Sequence, residues 1–474
     1  MVTSWPSSKV KQTFLDFFQQ RGHTLVPSSS VVPHDDPTAL FTGAGMFQFK
    51  PIFLQTVDSE SPLRNLRRAA SVQKLVLIRM LDIENVGRDP CWHTFFEMLG
   101  NWSFGDYSKT EALSMAWELL TDVYNIPADR LYVSYYPGDY AKRIEPDLEC
   151  RDIWRNLGVN DCHIIPGDKV LNFWKMGAVG PCGPSSKIHF DFISNRDPTL
   201  VNASDPFLVE FWDIAFVSLF LQDDGSLRPV GYEYIDTGMG LERLVSIMQG
   251  KTNSYDTDLF SHLLHTVYEL CKSNPSASLK PYDGHFGVQD VGNIDTAYRV
   301  IVDHVRAICV AIADGQLPNS SGRGHVLRKI FRRAVSMTRL LGQEIEDFWP
   351  RLVKVCIEQM GSTYPNMRGQ LPTIIATLQK EEAAFCKIIH RCERVFDKLA
   401  RTRPDGQVIT GSQLWKMYET YGFPIDLMEQ LGLERGLNLD WQEFDVAREK
   451  SKDNTAKKRC IPGGHEEEEG MVAD

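Results

Sequence analysis

In IDTGMGLERL (235–244) an acidic residue, two glycines and an arginine crowd into one short stretch. The apolar approach to Asp236 reads as a strand, and Leu241 to Leu244 opens a helix carrying Glu242 and Arg243. A Gly-x-Gly turn at Gly238 would let a backbone approach a flat ligand closely, and an arginine at a helix start reaches a phosphate. The spacing is that of neither a P-loop nor a dinucleotide fingerprint, so a structural glycine turn is the plain alternative. HTFFEMLGNWSFGDY (93–107) sets His93 and Glu97 on a strand before a glycine turn lined by Trp102, Phe104 and Tyr107, where aromatic packing explains most of the pattern. NFWKMGAVGPCGPSSKIHFD (172–191) reads as a built loop punctuated by Gly and Pro, feeding a short strand and holding Lys175 and Lys187. RGHVLRKIFRRAVSMTR (323–339) gathers Arg323, Arg328, Lys329, Arg332, Arg333 and Arg339 over an apolar stripe of Val326, Leu327, Ile330 and Val335. Such a basic stripe suits a polyanion, or equally a helix face paired to acids elsewhere.

The elements that must position these residues fall into two halves. Strands are expected at 130–137, 187–193 and 208–221, rich in aromatic and β-branched residues, and helices at 7–21, 108–124 and 147–157. Ser108 and Glu111 have capping-box spacing for the second of these helices. Clustered strands without regular βαβ alternation predict a mixed, largely antiparallel sheet. From about residue 256 the pattern turns helical: 256–272, 295–315, 323–341, 347–359, 370–401 and 411–420, with a polar connection at 273–294. The final residues lose periodicity and end in an acidic run, expected to be a disordered tail.

Length and composition bound the rest. A chain of 474 residues predicts two or three domains, and 43% hydrophobic with 11% aromatic residues is a globular composition. No apolar run approaches a membrane span, and the N-terminus, lacking a secretory h-region, predicts a soluble intracellular protein. The ten cysteines form no CxxC pair and read as reduced thiols. His262 and His265 offer half a metal site with no ligand cluster nearby. A net charge of −11 argues against wholesale nucleic-acid coating and confines any polyanion contact to a local patch.

Taken together, TGAGMFQFKPIF (42–53), ENVG (84–87), HTFFEMLGNWSFGDY, the loop at 172–184, IDTGMGLERL, YDTDLF (255–260), DTAYRV with DHVR (295–306) and YGFPIDL (421–427) resemble the alanyl-tRNA synthetases, in family order. The resemblance implies an α+β class II catalytic sheet flanked by helices over 1–252. An all-helical domain at 253–450 would recognise the tRNA acceptor stem, with an acidic tail over 451–474. It implies two steps: alanine attacks the α-phosphate of ATP, carried with Mg²⁺, and the 3′-terminal ribose of tRNA(Ala) then takes the alanyl group. Asp236 resembles the carboxylate that holds alanine's ammonium. Arg243 resembles the motif 3 arginine at the triphosphate, and Gly238 and His93 resemble ATP contacts. Trp174 resembles a pocket wall for ATP and alanine. Phe211, Trp212 and Asp213 fall on an ATP-contacting strand whose third residue also meets alanine. In the helical half, Arg323, Arg328, Arg332 and Arg333 would meet the stem backbone, and Asp426 resembles a reader of the stem's G·U pair. The family's editing and C-terminal domains are not matched, so zinc is not expected. The resemblance places such an enzyme in the cytoplasm, with the mitochondrion as the alternative.

Three departures carry charge. Motif 2 reads QKLVLIRMLDIENVG (73–87), shorter than the family's pattern, so its α-phosphate arginine is matched only by Arg79, in a shifted register. Lys175, Ala178 and Lys187 stand where the family has acids, and Asp213 where it has Asn, next to alanine's own carboxylate. These changes set a non-catalytic, tRNA-binding paralogue beside the ligase as the second expectation.

Overall fold

The computed structural model describes residues 5–33, 39–76, 83–203, 205–272, 279–342, 347–402 and 408–459. Arg79, on which the motif 2 reading rests, lies outside them, as does the tail from residue 460.

Helix α1 (Ser7–Gln20) and the short strand β1 (Thr24–Leu25) lead past the one-turn α2 (Lys50–Phe53) to β2 (Arg68–Val76) and β3 (Phe95–Phe104). Helix α3 (Lys109–Glu118) precedes β4 (Leu131–Tyr135), α4 (Leu148–Asn156) and β5 (Ile164–Pro166). Strands β6 (Phe173–Lys175), β7 (Gly180–Asp191), β8 (Leu208–Leu221) and β9 (Leu227–Gly240) then run into α5 (Leu241–Met248). The sheet order is β1-β2-β3-β9-β8-β7-β4-β5, with β6 paired to β7. Only β1–β2 and β4–β5 are parallel, so the sheet is mixed and mainly antiparallel, as its clustered strands predict. The strand expected at 208–221 is β8. Its hairpin to β9 turns at Gln222–Ser226, where Gly225 takes φ +79°, the left-handed region that a tight turn after Asp224 requires.

Two local readings are corrected. Ser108 makes no side-chain cap on α3. The amide of Lys109 instead donates to Glu233 Oε1 at 2.9 Å, a carboxylate supplied by β9. In addition, GPCGP is not a turn but the start of β7: the reversal lies at Met176–Val179, and Trp174 pairs with Gly183 across the β6–β7 hairpin. A Cβ on Gly183 would lie 1.9 Å from the Phe216 carbonyl oxygen, so β7 and β8 can approach this closely only over glycine.

The helical half comprises α6 (Ser261–Cys271), α7 (Ile294–Ala313), α8 (Gly322–Leu340), α9 (Phe348–Met360), α10 (Asn366–Gly369), α11 (Leu371–Thr402), α12 (Gly411–Tyr421), α13 (Ile425–Glu434) and α14 (Trp441–Arg459). A two-residue parallel pair, β10 (Val408–Ile409) with β11 (Asn438–Leu439), is the one non-helical element among these described residues. Helix α14 runs on past residue 450. No described helix is long and apolar enough to cross a membrane.

Helix α7 is the keystone. Every residue from Asp295 to Ile312 is buried, and one apolar core runs from α1 through the sheet into α11. Buried charge crosses the same boundary: Arg306 donates to Glu242 at 2.8 Å, and Lys11 and Tyr364 reach Glu97 at 2.6 and 2.7 Å. Burial pushes the Glu97 carboxyl up, but Lys11 and Arg306 outweigh it and hold it below its usual range.

Candidate active site

Strand registers put one set of residues on one face of the sheet. Asp236 lies opposite Trp102 and Ala215, Gly238 opposite Asp213, and Asp213 opposite Lys187. The indole Nε1 of Trp102 donates to Asp236 Oδ1 at 2.6 Å. Burial raises the Asp236 carboxyl to about 7, with the Trp102 bond opposing the rise and Asp213 adding to it. A carboxylate this poorly solvated gains most from a ligand cation.

The glycines differ in what they leave open. Gly238 lies in the strand, not in a turn, and is covered: a Cβ there would meet the Met98 sulfur at 2.6 Å. Gly240 is bare, its nearest neighbour being the Arg243 side chain at 3.6 Å. The open backbone at this site is therefore Gly240, which sequence reasoning passed over for Gly238. The next two charged residues divide between core and site. Glu242 turns inward to Arg306 and to the Glu97 amide, whereas the Arg243 guanidinium donates to the Glu210 carbonyl beside Asp213. Successive helix positions point about 100° apart, so adjacent charges serve different surroundings.

The lysines of the 172–191 stretch also divide. Lys175 and Ala178 are exposed at the hairpin turn. Lys187 is buried, with Nζ 2.7 Å from Glu210 and 3.8 Å from Asp213. Burial opposes its charge, but the two acids outweigh it and raise its pKa. Burial lifts Asp213 to about 6, with Lys187 opposing and Glu210 adding. Lysine at 187 and aspartate at 213, two departures that looked unfavourable singly, thus face each other across the sheet as a pair. Replacing Lys187 by Met is expected to cost about 1–3 kcal/mol in urea unfolding, because two acids lose their counterion in a half-buried setting. Adding Asp213→Asn should restore part of that loss, and simple additivity would refute the pairing.

A model of the family described as tRNA synthetases class II (A) matches residues 9–469. The chain belongs to that family. It is 45% identical over 479 residues to the alanine--tRNA ligase of Schizosaccharomyces pombe, covering 100% of this chain and 49% of the relative. It is 45% identical to the mitochondrial alanine--tRNA ligase of Saccharomyces cerevisiae, covering 99% and 47%, and 43% identical to the cytoplasmic enzyme of Bombyx mori, covering 95% and 46%. The chain spans about half the length of the curated relatives it matches.

Against this class II frame, several expected contacts sit elsewhere. Phe211 and Trp212 are buried in the main apolar core, with Trp212 opposite Met239 on the far face, so their side chains do not line the site. His93 is buried between sheet and helices: Nε2 lies 2.6 Å from the Ser254 hydroxyl, Nδ1 lies 3.5 Å from Asp303, and the ring stacks on Phe260. Trp174 is half-buried, its ring 6.2 Å from that of Phe53, and packs on the apolar cluster that holds Trp102. A cavity of about 490 Å³ between β1–β2 and residues 363–366 contains none of the expected site residues.

The basic helix is largely occupied within the chain. Arg323 donates to the carbonyls of Leu40, Pro33 and Ala39, Arg328 pairs doubly with Glu381 at 3.0 Å, and Arg333 donates to Asp426 at 2.8 Å. Asp426, expected to read the stem, is itself held by Arg333 and Arg88. Arg332 and Lys329 form no ion pair among the described residues. Arg332 lies over Phe385 and Lys329 over Tyr418, and burial lowers the pKa of both. No group of three or more His, Cys, Asp or Glu side chains that could hold a metal occurs among the described residues.

Proposed function

We propose that this chain activates L-alanine with ATP and transfers it to tRNA(Ala), as its matched relatives are named for doing. The observation that carries the reading is Asp236, held by Trp102 on a buried sheet face one strand-end away from Arg243. Asp236 would take the α-ammonium of alanine, a charge-assisted bond in a site that solvates the carboxylate poorly. Arg243 would meet the triphosphate, Gly240 would let the nucleotide approach the backbone, and Trp174 would bound the pocket.

Alanine's carboxylate then attacks the α-phosphate, pyrophosphate leaves, and the ribose hydroxyl takes the alanyl group from the adenylate with release of AMP. These are transfers through charged states, in which orientation and fixed charges do most of the work. Mg²⁺ would enter with ATP as part of the substrate, and Glu210, whose carboxylate feels the Arg243 charge, would be the candidate for a protein carboxylate on nucleotide-bound magnesium.

Residues 1–252 would carry activation and 253–450 the acceptor-stem contacts. On the basic helix, Lys329 and Arg332 form no ion pair among the described residues, so they are the proposed phosphate contacts. The compartment would be the cytoplasm, with the mitochondrion as the alternative, since relatives named for both match. The pairing of Lys187 with Asp213 removes one reason for the non-catalytic paralogue. Alanine-dependent exchange of pyrophosphate into ATP tests the reading: exchange is expected with alanine, and tRNA binding without exchange would overturn it.

A further inference from the structure

Residues 83–88, the end of the motif 2 stretch and the residue after it, are gripped by the helical half. Arg333 of α8, itself buried, donates from Nη1 to the carbonyls of Ile83 and Val86, the latter at 2.9 Å, and from Nη2 to that of Glu84 at 3.1 Å. Its Nε goes to Asp426 Oδ2 at 2.8 Å. Arg299 of α7 donates to the Gly87 carbonyl at 2.6 Å. Gly87 has φ +84°, and a Cβ there would meet Val300 at 2.7 Å, so the segment is docked directly on α7. Arg88 closes the ring by donating to Asp426 Oδ1 at 2.9 Å and to Glu429 at 3.0 Å.

The grip continues into the catalytic sheet. His304 Nε2 lies 3.5 Å from Arg333, and its Nδ1 lies 3.0 Å from the Thr94 hydroxyl. The Thr94 amide donates to both oxygens of Asp303 at 2.9 Å. Thr94 leads straight into β3, the strand whose Trp102 holds Asp236.

We propose that Asp426 and Arg333 are positioning residues for alanine activation, acting through residues 83–88 and the entry to β3, rather than groups kept free to read the acceptor stem. Both Asp426 oxygens are engaged by arginines and the side chain is 9% exposed, so in this arrangement it is held inside the chain and offers a base little access. A buried carboxylate between two guanidinium groups fixes geometry well, because losing either partner leaves charge unsolvated. The proposal rests on the ligase reading above, and its test separates the two.

The test uses the full chain with Asp426→Asn and, separately, Arg88→Gln, which alters a 40% exposed side chain and leaves the core intact. Without any tRNA, Asp426→Asn should lower the kcat of alanine-dependent pyrophosphate exchange at least about tenfold while alanine KM moves less than about threefold. Arg88→Gln should lower kcat about threefold or more in the same sense. In both variants the amides of Arg88 and Thr94 should exchange hydrogen at least about tenfold faster than in the parent. Exchange activity within twofold of the parent, with only the transfer to tRNA impaired, would overturn the proposal and return Asp426 to stem reading. If Asp426→Asn does not fold, Arg88→Gln decides alone. If the parent itself shows no pyrophosphate exchange, the ligase reading fails, and unchanged amide exchange in the variants would still overturn the clamp.

Discussion

Asp236→Asn lowers kcat/KM for alanine in pyrophosphate exchange by about 10–10²-fold, the loss expected when a charge-assisted contact of roughly 1.5–3 kcal/mol disappears from a desolvated site. Asparagine keeps the size and an acceptor for the Trp102 indole, so the fold should survive and the loss should be one of charge. The pH profile supplies an independent check. With the carboxyl raised to about 7, its anionic form grows as pH rises through that value, so kcat/KM for alanine should climb between pH 6 and 8 and then level. Alanine's own ammonium and carboxylate do not titrate in that window. A flat profile in the parent would show that Asp236 does not hold the substrate cation.

The largest effect on stability is expected at Arg306. Its guanidinium serves Glu242 at 2.8 Å and Glu97 at 3.7 Å and lies over the rings of Phe95 and Phe260. Among the described residues, Arg306→Met leaves Glu97 with Lys11 as its ion pair and Glu242 with none, and breaking a buried pair from one side costs about 3–5 kcal/mol. Urea unfolding should report that loss directly. Arg306→Lys should recover only part of it, because an ammonium gives up the planar guanidinium's packing over the Phe95 and Phe260 rings. A loss below about 1 kcal/mol for Arg306→Met would mean the acids are solvated by other means. Glu97 lies on β3 and Glu242 on α5, so the same change should also weaken activity by loosening the two elements that carry the site.

How far the chain could be read from its residues varied with the range of the interactions concerned. Strand β8 and helices α7, α8 and α11 matched their periodic patterns closely, since apolar spacing reports which face is buried. GPCGP was misread because Gly and Pro signal turns locally. Here a register shift between β7 and β8 demands them within a strand. The capping box at Ser108 failed for a similar reason: a carboxylate from β9, distant in sequence, competed for the helix start and won.

The site shows the same division. Asp236 and Arg243 were visible as chemistry in one short stretch, but their neighbours were not. Gly240 rather than Gly238 is bare only because Met98 of another strand covers Gly238. The basic stripe of α8 was legible as charge, yet acids from 53, 54 and 93 residues further along the chain neutralise Arg328, Arg339 and Arg333, half of it. Lys187 and Asp213 looked like two faults because neither stretch reveals the other.

The amino-acid sequence by itself determined the family, the order of sheet and helices, and the presence of one acidic and one basic residue flanking a glycine-rich strand end. These follow from local patterns of residue type, which survive without knowledge of contacts. Only the tertiary structure decided which charges are paired within the molecule and which are left open to a ligand. The strength of a charge depends on what replaces its water, and that is set by side chains brought from distant parts of the chain. Lys187 facing Asp213, Glu242 turned to Arg306, and Asp426 closed between Arg88 and Arg333 are each such an outcome.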